Sequence, residues 1–103
     1  MTLTSKQRSY LKSLASKLEP AFSFGKSGLT PEMVTAIDEY FGKNELLKIN
    51  VLKNCEDEPK ELAIMVSERT RSTTVQVIGR KIVLYKPDRD KPKIILPEAG
   101  KKE

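Results

Sequence analysis

Apolar residues recur along this 103-residue chain with two alternating periods. From about Ser5 to Leu18, Leu11, Leu14, Ala15 and Leu18 return at helical spacing, while Lys6, Arg8, Lys12 and Lys17 fall off the stripe. Thr4 or Ser5 offers an N-cap and Pro20 a stop, so an amphipathic helix with a basic outer face is predicted. Ala21-Phe22-Ser23-Phe24 then alternates as a short strand. Thr30-Pro31-Glu32 sets a hydroxyl cap before a proline at the first helical position, opening a second helix that buries Met33, Val34, Ile37 and Phe41 and ends near Gly42. From Glu45 to Lys53, Leu47, Ile49 and Val51 alternate with Lys48 and Asn50, the mark of a half-buried strand. A third helix runs from about Lys60 to Thr70 behind Glu56-Asp57-Glu58-Pro59, where the carboxylates suit a helix start. Last, 74–78 and 82–85 flank Gly79-Arg80-Lys81 as a hairpin. The order is α-β-α-β-α-β-β. One sheet covered by helices, an α/β (α+β) fold of two layers, is the simplest way to bury these stripes.

Composition narrows the chemistry. There is no His, which removes Ser-His-Asp and Cys-His catalysis and every His-ligated metal. The single Cys55 allows no intrachain disulfide, and three acidic neighbours disfavour its thiolate. No apolar run approaches the roughly 18–20 residues of a membrane span, and the first residues lack a signal-peptide core. A cytoplasmic protein without cofactor or metal is the expectation. The net charge of +5 conceals segregation: +4 over residues 1–30, −5 over 31–68 and +6 over 69–103. If the two basic ends fold together, one surface faces polyanions and another repels them.

The segment Gly25-Lys26-Ser27-Gly28 lies between a predicted strand and a predicted helix. Glycines at both ends permit a sharp bend and close approach, and Lys26 and Ser27 supply a cation and a hydroxyl. G-x-x-G loops of this kind clamp nucleic-acid backbones, although the same four residues also serve as a plain strand-helix turn. A P-loop does not fit. Its first glycine would fall at Pro20, and the helix here starts several residues beyond the lysine.

These blocks together resemble the CRM domain (chloroplast RNA splicing and ribosome maturation), in its small stand-alone bacterial YhbY-like form. The resemblance is carried by residues 4–12 in the first helix, by Phe24-Gly25-Lys26-Ser27-Gly28-Leu29-Thr30, by residues 44–52, by residues 75–85 and by Ile94-Ile95-Leu96-Pro97. It implies a four-stranded mixed sheet similar to the C-terminal domain of translation initiation factor three, and binding of structured RNA in precursors of the large ribosomal subunit. It also implies that Gly25, Lys26, Ser27 and Gly28 form the RNA-contacting loop. Asn44 departs from the pattern, since many relatives carry His before Glu-Leu. Residues 1–97 are expected to form one domain and 98–103 a basic, flexible tail.

Around the loop, Lys6, Arg8 and Lys12 would flank it if the first helix packs beside the second; otherwise they are solvated charge. Arg80 and Lys81 at the hairpin tip admit the same two readings. Arg69 and Arg71 suit the end of a helix. The aromatic rings read as core for Phe22, Phe24 and Phe41 and as rim positions for Tyr10, Tyr40 and Tyr85. The function expected is non-enzymatic RNA binding, with ribosomal RNA as partner, no membrane, no small-molecule substrate and a monomeric state. The alternative is an adaptor docking proteins through its segregated charges. An enzyme is disfavoured because no Lys, Tyr, Ser or carboxylate constellation converges.

Overall fold

Thr4 opens the first helix through a reciprocal cap: the Gln7 amide donates to Thr4 Oγ1, and Gln7 Oε1 accepts from the Thr4 amide, both at 3.1 Å. In this computed structural model, which describes residues 2–98, that helix is α1, Ser5–Ala15. It stops a turn before the predicted end at Leu18. Two tight turns, Lys17 to Leu14 and Leu18 to Ala15, carry the chain toward Pro20. Strand β1 is Phe22–Phe24, α2 is Pro31–Phe41 and β2 is Leu46–Val51. Helix α3 is Pro59–Thr70, and β3, Thr73–Ile78, pairs with β4, Lys81–Tyr85. The element order is the predicted one.

The sheet runs β1-β2-β4-β3, with β1 parallel to β2 and the other pairs antiparallel. It is the mixed four-stranded sheet expected. The layer count differs. Alternation sends Leu47, Ile49, Val51, Ile82 and Leu84 to one face, where Ile37, Phe41, Leu62 and Val66 of α2 and α3 cover them. Leu46, Val75, Val83 and Tyr85 face the other way and pack on Leu3, Leu11 and Ala15 around α1. Helices therefore sandwich the sheet in three layers, because both strand faces carry apolar residues and each needs a cover. Phe24 and Phe41 are core as predicted, and Phe22 packs against that core half-buried. Tyr85, expected at a rim, is buried. Burial and the nearby Glu45 charge raise its phenol above the ordinary value.

The chain after β4, linker-like in composition, is tied down by one buried carboxylate. Glu45 Oε1 accepts from the amides of Lys93 and Ile94 at 2.9 and 2.6 Å, and Oε2 from that of Asp88 at 2.6 Å. Three amide donors satisfy a charge that would be costly to bury alone. Ile94 and Leu96 then pack beside α1. Of the expected tail at 98–103, residues 99–103 lie outside the described residues.

Candidate nucleic-acid interface

Residues 25–28 form a turn closed by the Gly28 amide on the Gly25 carbonyl at 3.0 Å. Lys26 and Ser27 are exposed at its tip. The two glycines differ. Gly28 is buried at φ +64°, and a Cβ there would sit 2.6 Å from the Asp57 carboxylate, so the fold itself favours glycine. A Cβ on Gly25 would meet Asn54 and Leu52 at ordinary contact, 3.5 and 3.6 Å, so the fold leaves that position open.

The helix start behind the loop has little left to offer an anion. Thr30 Oγ1 accepts the Met33 amide at 3.2 Å, Pro31 has no amide proton, and Glu32 places a carboxylate in the first turn. Charge must therefore come from side chains.

Several predicted residues do meet at this end of the sheet. The Leu52 amide donates to the Phe24 carbonyl at 2.8 Å, which ties the end of β2 to the root of the loop. Arg80 Nε and Nη2 donate to the Val51 and Leu52 carbonyls at 2.9 and 2.7 Å, which fastens the hairpin tip to the same place. The tip is a two-residue turn with Gly79 at φ +58°, the position where a right-twisted hairpin favours glycine. Lys81 follows, its ammonium 3.3 Å from Asn50 Oδ1.

Lys81 also lines a groove of about 310 Å³ between α1 and the sheet, together with Lys12, Ser16, Lys48, Gln76 and Ile78. Three lysines from three elements converge there, and Ile78 is 60% exposed beside them. Lys48 and Gln76 escaped the sequence reading. Each is merely the polar partner in an alternating strand, and only the sheet register sets both opposite Val83. The signal was present in the alternation, which already assigned Lys48 to the non-core face.

Lys6 and Arg8 do not join this cluster. Because α1 lies on the opposite sheet face from α2, it does not pack beside the second helix, and the condition for flanking the loop fails. Arg8 donates from Nη1 to the Thr74 and Val75 carbonyls at 2.9 and 2.5 Å. Those carbonyls sit where β3 bulges between Thr74 and Gln76 and the ladder is interrupted. Arg8 thus fastens α1 to the sheet rather than facing solvent. Lys6 is exposed; at 100° per residue it lies about 120° around the helix from Lys12.

The two sheet faces differ in charge at this end. The acidic turn Glu56-Asp57-Glu58 adjoins the loop through Asp57 at Gly28. Glu58 and Glu61 line a shallow pocket with Lys60 and Gly79 on the α3 side. The lysines occupy the α1 side. Among the described residues, no His/Cys/Asp/Glu cluster could hold a metal, and no helix is long and apolar enough to cross a membrane.

Comparison with known proteins gives one consistent result. The model of a family described as the CRS1 / YhbY (CRM) domain matches residues 3–86. A Bacillus subtilis protein named as a probable RNA-binding protein, YqeI, is 41% identical over 95 residues, covering 92% of this chain and 99% of that one. A Haemophilus influenzae protein named as an RNA-binding protein is 37% identical over 97 residues, covering 93% and 96%. A Staphylococcus aureus protein, solved in solution and described provisionally as RNA binding, superposes with a TM-score of 0.78 at 46% identity, covering 93% of this chain and all of that one.

Proposed function

The chain belongs to the CRS1 / YhbY (CRM) domain family, and from that membership we propose that it binds structured RNA without catalysing a reaction and assists assembly of the large ribosomal subunit. The observation that carries this reading is the convergence of Lys12, Lys48 and Lys81 in one groove, at the end of the sheet where the G-x-x-G turn emerges. Lys26 and Ser27 at the turn tip and the three groove lysines contact backbone phosphates. Gly25 gives the strand close access to the main chain. Gly28 shapes the turn, Arg80 holds the hairpin tip against it, and Arg8 holds α1 in place. Lys6 adds long-range attraction from the outer face of α1. The acidic turn on the opposite face repels RNA, so the strand arrives from the α1 side. Such contacts select RNA by shape more than by base sequence.

The working unit of this proposal is a cytoplasmic monomer in which residues 1–97 act as one domain, supported by the Glu45 anchor of the segment after β4. The test is affinity for large-subunit ribosomal RNA as a function of salt, with co-sedimentation in cell extracts. The expected log–log slope is about −0.7 to −0.9 per neutralised phosphate, and co-sedimentation with large-subunit precursors is lost on RNase treatment. A salt-independent affinity, or protein partners that survive RNase, would turn the assignment toward a protein-docking adaptor.

A further inference from the structure

The far end of the sheet carries a second cationic groove. It occupies about 790 Å³ and is lined by Arg71, Ser72, Thr73, Lys86, Asp88 and Arg89, over the buried Phe41 and Tyr85. It lies at the Tyr85 end of β4, whereas the G-x-x-G turn and hairpin tip lie at the Lys81 end, about 14 Å away along five residues of strand.

Arg71 is the unusual member. It ends α3 in the left-handed region at φ 57°, ψ 39°, its amide donating to the Ser67 carbonyl. Glycine normally holds such a position, because any side chain there crowds the backbone. Among the described residues it is the only non-glycine with positive φ. A strained position that carries an exposed guanidinium into a groove calls for a reason other than folding.

The surroundings hold the other cations in place. Lys86 Nζ donates to the Thr70 carbonyl at 2.9 Å, directly beside Arg71. The Asp88 amide rests on Glu45, which fixes the loop that presents Arg89. The one carboxylate in the lining, Asp88, stays charged, because the amides of Asp90 and Lys91 donate to its Oδ1 at 2.8 and 3.1 Å; Arg71, Lys86 and Arg89 outnumber it three to one. Among the described residues, none of the large apolar side chains left exposed, Tyr10, Leu52, Ile64, Ile78 and Ile95, lines this groove. A protein partner would want such anchors at its centre, whereas phosphates want spaced cations.

We infer that this groove is a second phosphate-binding surface, which holds another phosphodiester segment of the same folded RNA while the loop end holds the first. The inference rests on the RNA-binding reading above and deepens it: the protein spans two strands and reads their separation.

Arg71→Gly separates function from folding, because it removes the cation and the backbone strain together. Arg71→Gly is expected to melt at the same or a higher temperature than the parent. Combined with Arg89→Ala, it is expected to lower the magnitude of the salt slope on a structured large-subunit rRNA fragment by about 1.5, two contacts at roughly 0.7–0.9 each. Arg71→Lys, which keeps charge and strain, restores the contribution of that site. An unchanged slope in the folded double variant overturns the second surface and leaves the loop-end reading standing. A parent that does not bind the RNA overturns both. Saturable binding of inorganic phosphate at Arg71 and Arg89, with the RNA slope unaffected, assigns the groove to a free anion. Binding of an acidic peptide by the parent but not the double variant, again with no slope change, assigns it to protein. Either result overturns the inference.

Discussion

The two faces of the sheet are covered unequally, and the inequality creates the candidate interface. Four strands at about 4.8 Å spacing span roughly 14 Å between outer axes, while one helix with its side chains is about 10–12 Å wide. On one face, α2 and α3 lie side by side and seal Leu47, Ile49, Ile82 and Leu84 from water. On the other, α1 is the only helix among the described residues. It covers Leu46, Val75, Val83 and Tyr85 and leaves the hairpin end of the sheet open. At that uncovered end the strands carry Lys48, Asn50, Gln76 and Lys81, with Ile78 exposed among them. The doubly covered face specifies the fold, and the singly covered one is free to present charge. The two surfaces obey the same alternation rule, and the number of helices above each decides what its polar positions do.

The sharpest test of that contrast sets Ile49→Ala against a lysine on the same strand. Ile49 is fully buried beneath α2 and α3, so its truncation is expected to cost about 2–5 kcal/mol by denaturant unfolding. Replacing Lys12, Lys48 and Lys81 together by Ala should leave stability within roughly 0.5 kcal/mol per site, as for exposed or partly exposed surface positions. The same triple variant should lower the magnitude of the RNA salt slope by about 2 to 3. A large stability loss in the triple variant would mean that the groove lysines serve packing, and the division between the faces would fail. A finer comparison separates the two ends of the loop. Gly28→Ala must adopt a left-handed backbone and displace Asp57, at a cost of about 1–2 kcal/mol. Gly25→Ala should fold like the parent and weaken RNA binding alone. Equal stability losses for both would show that the whole turn is structural.

The elements themselves were legible because each is announced locally. The Thr4 and Thr30 caps, Pro31 and Pro59 at helix starts and Gly79 in the hairpin need no knowledge of distant residues. The end of α1 was overrun, since Leu18 continues the apolar stripe while lying past the last helical hydrogen bond. Candidate contacts divided differently. Lys26, Ser27 and Lys81 are exposed where the sequence suggested, but Arg8 proved to hold a bulge that no local pattern reveals. The anchoring role of the buried Glu45 has no local signal, because its three amide donors come from residues more than forty positions away.

From the amino-acid order alone come the seven elements, the absence of histidine chemistry, the bend at Gly25–Gly28 and the resemblance that points to RNA. Those properties depend on near neighbours or on composition, and both are written directly in the chain. Only the tertiary structure decided that α1 crosses to the other sheet face, that Lys12, Lys48 and Lys81 share a groove and that Arg71 faces a second one. Each of these turns on which strand lies beside which and on the face a helix covers. Strand pairing across thirty or more residues is settled by the burial of both faces at once, and no single segment encodes it.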